Sequence, residues 1–474
     1  MSRVLVILIA VAAIVSCEPK EEKGALITGE IENPITDELE LNYYKDFITY
    51  DVERHEIVLD ENNNFSLELD IEEPVEAEMI FNDNEPVDIF LEPGDELHIT
   101  ADGSDIVNSI SFSGDNADNS TFMVQYQTEI LDKYGQQKII ERMRDLEPGE
   151  FVDFANEALE DMLQYFNEFS EKKDLSDSFE HIFKTNIRFG LYENLLSYPE
   201  FHQMLNQLDE EPELPEDYYA FIEKDFQFYD DKLASSNYCS FLITFLDYYE
   251  SINPDKAPED KSAIEEKLYL AEKLYDDKSL EYVKAIHIYR EFDHGEFEVA
   301  ENLYHSFKEE EPVKDYISIL SDNYEAEKRM LPGNPAPEFE LEDIDGNKVS
   351  LEDFRGKVVY LDFWASWCPP CMREVPYAKE LKERFDDVDD LVFLYISVDE
   401  DEEAWKSTVD EREIEGVHLN IEGRDNEVSN SYNLGSIPSY LIIDRNGVIF
   451  DNNAKRPSHE GIDEDLKEAL EKHV

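Results

Sequence analysis

Cysteine is scarce in this chain, with four in 474 residues, and an exported fold stapled by disulfides would carry more of them at wider spacing. Its domains must therefore stand on hydrophobic cores, and 474 residues exceed what one core serves, so two or three domains are expected. Basic residues are also in short supply: 41 Lys and Arg face 115 Asp and Glu, a net charge of −74. Such a surface repels phosphate backbones and anionic headgroups and lacks the cationic term that drives binding to either, which excludes a nucleic-acid function. Acid spread over nearly every solvated face keeps the chain soluble. Long apolar runs are missing too. The stretch Val4 to Val15 is twelve residues, too few to cross a hydrocarbon core of about 30 Å.

What that short run does fit is a secretory signal, with Arg3 ahead of it and the small residue Ser16 behind it. IVSC, Ile14 to Cys17, resembles the lipobox of bacterial lipoproteins. The resemblance implies that 1–17 is a signal peptide, that Cys17 is lipidated and becomes the mature N-terminus, and that 18–24, EPKEEKG, is a solvated tether. The expected location is the cell envelope, lipid-anchored to a membrane and facing the periplasm or exterior.

Hydropathy periods divide the rest. Over 25–115 the period is two: EIVLDENNNFSLELD reads as two strands joined by a polar Asn turn, and VDIFLEPGDELHITAD as two more joined at Pro93, Gly94 and Asp95, a β-sandwich-like domain. Over 116–330 the period is helical. Phe151, Phe154, Ala158, Met162, Phe166 and Phe169 keep one face, and six to nine helices are expected, with breaks near Pro148, Pro212, Pro254 and Pro312. The stripes read as core, and Cys239 within one of them as a buried, inert thiol. Prolines and a glycine at 331–343 mark a boundary, after which strands and helices alternate to Val474 as in an α/β domain. The predicted fold class is multidomain: an N-terminal all-β domain, a central all-α region and a C-terminal α/β domain.

The chemistry concentrates in FWASWCPPC, residues 363–371. A helix beginning at the cysteines offers unpaired N–H groups and partial positive charge, so a Cys368 thiolate is stabilised there and its pKa should fall from about 8.5 to about 7 or lower. Pro369 and Pro370 occupy first-turn positions whose N–H groups have no helical partner, so they stiffen the loop without losing a bond. The spacing brings Cys371 within disulfide reach, with Cys368 expected to be the exposed nucleophile and Cys371 the covered, resolving thiol. As half of a zinc site the pair would need further ligands, and only Cys17, Cys239 and the distant pair His287 and His294 are on offer, so no metal is predicted. Asp343 to Asn347 lacks calcium-loop spacing and reads as a turn.

LDFWASWCPPC, together with SIP at 436–438, resembles the TlpA/ResA group of thioredoxin-like thiol–disulfide oxidoreductases, over the last 140 or so residues. LEPGDELHIT followed by ISFSGDNADN also resembles a β domain of unassigned role found ahead of such domains in bacterial lipoproteins. The first resemblance implies a thioredoxin-like fold over 331–474, a cis Pro438 beside the nucleophile, and a backbone at Ile437 that pairs with the substrate peptide. It matches Asp362 to the buried acid of thioredoxin and Glu374 to an acid of the ResA branch. Both are candidates for moving the proton of Cys371, the alternatives being a satisfied strand-end carboxylate and a solvated helix face. Trp367, Pro369 and Pro370 join Ile437 and Pro438 as candidate substrate contacts, and Trp364 reads as core.

The implied function is a membrane-anchored, extracytoplasmic reductase of protein disulfides that needs no cofactor beyond the Cys368–Cys371 disulfide. Implied partners are cysteine-containing exported proteins, apocytochrome c among them, and a membrane thiol donor of the DsbD or CcdA kind. Two other readings stay open. Residues 25–330 could form an envelope binding module with the redox domain as an accessory, and a thiol peroxidase shares this fold, although Asp362 and Ala365 stand where peroxidases place other residues.

Overall fold

The computed structural model describes residues 24–81, 86–225, 228, 230–253, 261–424 and 426–472. Cys17, the signal and tether up to Lys23, Pro254 and the side chain of His294 lie outside the described residues. The chain divides into two compact units, Met1–Lys284 and Ala285–Val474.

Eight strands open the first unit: β1 (Ala25–Glu32), β2 (Glu38–Tyr44), β3 (Val52–Val58), β4 (Asn64–Leu69), β5 (Val75–Ile80), β6 (Pro86–Leu91), β7 (Glu96–Asp102) and β8 (Ser111–Gly114). They form two four-stranded sheets, ordered β4-β1-β7-β8 and β3-β2-β5-β6. The period of two does its expected work, since alternate residues Ala25, Ile27, Gly29 and Ile31 face inward along β1. Ile27 and Ile99 from one sheet and Leu41, Met79 and Ile89 from the other, all fully buried, share a single core. A Cβ at Gly29 would collide with the Phe65 ring and the Ile99 carbonyl, so only glycine lets Phe65 lie across β1. Both turns legible in the sequence connect one sheet to the other: β3 and β4 lie in different sheets, as do β6 and β7.

Long helices come next, among them Ala117–Glu129, Pro148–Ser170, Asp177–Asn206 and Ser236–Ile252. Pro148 sits at the helix start, where its missing N–H costs nothing. The stripe buries Phe151, Ala158, Met162 and Phe166, and tucks Phe154 and Phe169 partly beneath its neighbours. Phe122 is the hub, fully buried with six aromatic neighbours: Tyr126, Tyr165, Phe166, Phe169, Phe179 and Phe183. Cys239 is buried, and burial pushes its thiol up to about 12.

The second unit begins inside the helix Asp277–His294 and continues with helices Phe297–Glu309 and Lys314–Met330 before its sheet. The contact division therefore groups these helices with the sheet that follows residue 331. The helix Lys314–Met330 is tied to the C-terminal sheet and its loops: Met330 belongs to the same buried cluster as the sheet, and Asn433 donates to Glu327 at 2.5 Å. Strands β9 (Glu340–Asp343), β10 (Lys348–Ser350), β11 (Val358–Trp364), β12 (Leu391–Ser397), β13 (Val417–Asn420), β14 (Ser439–Ile443) and β15 (Ile449–Asp451) form one seven-stranded sheet, ordered β10-β9-β13-β12-β11-β14-β15. All seven residues of β11 are buried, and it runs parallel to β12 and antiparallel to β14. The Asp343 carboxylate accepts from the Asp345 and Asn347 N–H groups and from Asn347 Nδ2, which closes the β9–β10 hairpin.

Phe122→Ala is expected to cost about 3–5 kcal/mol, because the ring fills the middle of a cluster that cannot collapse around the gap. A urea titration followed by circular dichroism should show a lower midpoint for the helical transition, and an unchanged midpoint would mean that this hub does not carry the region's stability.

Candidate active site

Strands β11 and β12 end level, with Trp364 paired to Ser397, and the chain leaves β11 through Ala365, Ser366 and Trp367 into the helix Pro369–Arg384. Cys368 is the residue capping that helix, and its Sγ accepts the Cys371 N–H at 3.2 Å. Cys368 and Cys371 are joined as a disulfide with Cα atoms 5.3 Å apart. The expectation of one exposed and one covered sulfur needs correction, since Cys368 is 3% and Cys371 4% exposed. The reason lies in the second motif: the Ile437 carbonyl comes within 3.9 Å of Cys368 Sγ, so the 435–438 loop roofs the sulfur that the helix alone would leave open. The Ile437–Pro438 bond is cis. Around this roof the surface is apolar. Trp367 is 58% exposed, Pro369 is exposed, Pro370, Ile437 and Pro438 are half-buried, and Tyr377 stands out on the same helix, whereas Trp364 is buried as expected.

One carboxylate is buried within the sheet itself. Asp362 sits in β11 between Tyr440 of β14 and Tyr395 of β12, and its Oδ1 is buried with no hydrogen-bond partner. Burial pushes the Asp362 carboxyl well above the usual carboxylate range, and the charge of nearby Glu374 pushes it further. Glu374 comes from the helix Pro369–Arg384 and is 9% exposed, which removes the solvated-face alternative. The Ser458 N–H donates to its Oε2 and the Ser458 hydroxyl to its Oε1, both at 3.0 Å.

Two features escaped the sequence reading. Asp399, just past β12 and 1% exposed, accepts from the Ser366 N–H at 2.9 Å, the Ser366 hydroxyl at 2.5 Å and the Ser397 hydroxyl at 2.6 Å. It anchors the loop that delivers Cys368, and its one signal is an acid directly after a buried strand. Ser458 lies 84 positions from Glu374 and carries no local signal at all. The structure thus gathers Asp362, Glu374, Cys368, Cys371, Ile437 and Pro438 in one unit. His287 and the described residues around it gather no third metal-ligating side chain.

Comparison with known proteins finds relatives of the C-terminal third. Residues 331–470 match the family described as Redoxin. The thiol–disulfide oxidoreductase ResA of Bacillus cereus is 30% identical over 152 residues, which span 32% of this chain and 86% of that protein. ResA of Geobacillus kaustophilus is 37% identical over 134 residues, 28% of this chain and 74% of the relative. A solved structure described as a thiol–disulfide oxidoreductase from Bacteroides vulgatus shares 34% identity, covers 30% of this chain and 99% of its own, and superposes with a TM-score of 0.28. The two ResA proteins are matched over most of their own length, and by this C-terminal third the chain belongs to the thioredoxin-like thiol–disulfide oxidoreductases of the ResA group.

Proposed function

We propose that this protein is an envelope-located, lipid-anchored reductase of protein disulfides that works through Cys368 and Cys371. The observation that carries the redox part is the cap geometry, in which a backbone N–H already points at Cys368 Sγ from the start of a helix and would stabilise a thiolate there. The anchor rests on Arg3, the apolar run and Ser16 with Cys17. No described helix is long and apolar enough to cross a membrane.

A thiolate donor attacks Cys368 Sγ and breaks the Cys368–Cys371 bond, and Cys371 leaves as a thiolate that takes the proton held on Asp362. A second donor thiolate attacks the donor sulfur of that mixed disulfide, giving the donor disulfide and expelling Cys368 as a thiolate. That thiolate attacks a client disulfide, one client sulfur leaves, and a mixed disulfide forms. Asp362, now ionised, takes the proton back from Cys371, whose thiolate attacks Cys368 Sγ and releases the second client thiol. Two electrons pass from donor to client, and Asp362 ends the cycle protonated. No metal or organic cofactor enters the sequence. Trp367, Pro369, Pro370 and the Ile437 backbone receive the client segment. The clients are cysteine-containing exported proteins, apocytochrome c among them, and a membrane thiol donor of the DsbD or CcdA kind supplies the electrons.

The midpoint potential of the Cys368–Cys371 couple tests the direction. Alkylation after equilibration in dithiothreitol and glutathione buffers should give a value near or below about −250 mV, in the range of thioredoxin, and a value near about −120 mV would make the protein a disulfide donor instead. Cys371→Ala is expected to accumulate a mixed disulfide with a disulfide-containing peptide on non-reducing gels, and Cys368→Ala none; equal trapping by both variants would reverse their roles. Asp362→Asn should raise thermal stability by an amount that grows with pH. The folded carboxyl binds its proton more tightly than the unfolded one, so wild-type stability falls as pH rises from the unfolded value near 3.9 through the raised folded one. Melting at pH 5 and pH 8 reads this, and a gain no larger at pH 8 would sink it. Cys17→Ala should abolish labelling by radioactive palmitate and move the protein out of the membrane fraction.

A further inference from the structure

We propose that Glu327, on the last helix before the redox sheet, is a positioning residue that holds the roof over Cys368 in place through Asn433. The inference rests on the redox reading above and extends the site to a helix that precedes residues 331–470, the part matched to the Redoxin family. Leu320, Tyr324 and Met330 are buried along the helix Lys314–Met330, and Glu327, half-buried, lies on the same face one turn before Met330. The residues after the helix pin it to the sheet. Asn334 Nδ2 donates to the Lys328 carbonyl at 2.8 Å, the Gly333 N–H to the Ile449 carbonyl at 2.8 Å, and the Ile449 N–H to the Asn334 carbonyl at 2.8 Å. A carboxylate carried on a helix so fastened is a fixed point from which a neighbouring loop can be held.

The loop it holds is the one that leads to Ile437. Asn433 follows the short helix Glu427–Ser431 in the left-handed conformation, φ 50°, which asparagine tolerates, and the Leu434 N–H closes the turn on the Ser429 carbonyl at 2.9 Å. From there Asn433 Nδ2 donates to the Glu327 carboxylate at 2.5 Å. Two residues on, the Gly435 carbonyl accepts from Arg424 at 2.6 Å, and two further on the Ile437 carbonyl lies 3.9 Å from Cys368 Sγ. Gly435 and Ser436 are exposed, so the roof between Asn433 and the start of β14 at Ser439 is held by these polar contacts more than by burial. Loss of the Glu327 bond loosens the near end of this span, with two effects of opposite sign. Cys368 Sγ becomes easier to reach for a small thiol that needs no docking. A client segment that pairs with the Ile437 backbone must first order that backbone, and so reacts more slowly.

The experiment compares two rates in the whole protein carrying Glu327→Ala or Asn433→Gly. Glycine suits the left-handed position, so the second variant removes the amide and keeps the turn. Each variant should speed reduction of the Cys368–Cys371 disulfide by dithiothreitol and slow reduction of a peptide disulfide by the reduced protein. The ratio of the two second-order rates should change by roughly tenfold, the size of one hydrogen bond to a charged group. The double variant should match either single one, since both remove the same bond. Glu327→Gln, which keeps an oxygen facing Asn433, should stay near the wild-type ratio. A ratio unchanged in both single variants, or two rates that move in the same direction, would overturn the role of Glu327. A wild type that reduces no peptide disulfide would overturn the redox reading instead, and the dithiothreitol rates alone would then decide whether Glu327 holds the roof.

Discussion

A carboxylate in an interior strand of a seven-stranded sheet is expensive, because an ion taken from water into a medium of low polarity loses several kcal/mol unless something compensates. Asp362 stands in that position, buried on β11 with tyrosines on both neighbouring strands and Glu374 from the helix above. Nothing in the packing of the described residues relieves it: no cation is paired with it, and one oxygen has no donor. A residue chosen for stability alone would be apolar here, as its strand neighbours Leu361 and Phe363 are, both fully buried. The penalty falls on the charged form only, so the site holds a carboxylic acid at pH values where surface acids are ionised.

Under the proposed cycle this acid gives its proton to the inner sulfur, which requires the helix start to sit directly past the end of β11 and the loop between them to be fixed. Asp399 does the fixing through Ser366, two residues before Cys368. The second requirement is a lid over the outer sulfur, which the loop at Ile437 and Pro438 provides from the start of β14. Strand order alone brings these parts together: β12 and β14 are the two neighbours of β11, and each contributes the segment immediately beyond one of its ends.

Elements whose signal is local were legible in the sequence. The period of two marked the strands of the first unit, and an apolar run closed by WCPPC marked β11 and the helix after it. Long-range pairing was not legible. Both polar turns were visible, yet nothing in EIVLDENNNFSLELD tells that β3 and β4 part company into separate sheets, because strand partners are chosen by packing across the core. Proline was an uneven guide. Pro148 opens a helix as expected, while Pro199 and Pro376 lie inside helices, where the surrounding packing outweighs one lost bond. The same division holds at the site. Cys368, Cys371 and Pro438 were carried by motifs, whereas the burial of Cys368, the grip of Asp399 on Ser366 and the bond from Ser458 to Glu374 depend on residues 33 to 84 positions apart.

Charge sharpens the picture of what can dock. In a chain of net −74, most surface acids have no cation to meet, and the ion pairs that do form are largely exposed and worth little each. Against that background the surface around the disulfide is conspicuous for its apolar residues: Trp367, Pro369 and Tyr377 are all exposed. A client docked there, as the proposed function has it, would gain from burying aromatic and proline surface, and the acid elsewhere would discourage contact by other negatively charged segments. Because both sulfurs are covered, contact at this surface has to precede attack. In the proposed cycle the client occupies the outer side of Cys368 while the proton moves between Cys371 and Asp362. In that cycle, separate sides for client and proton would let a docked client seal the disulfide from water without blocking the proton that the exchange requires.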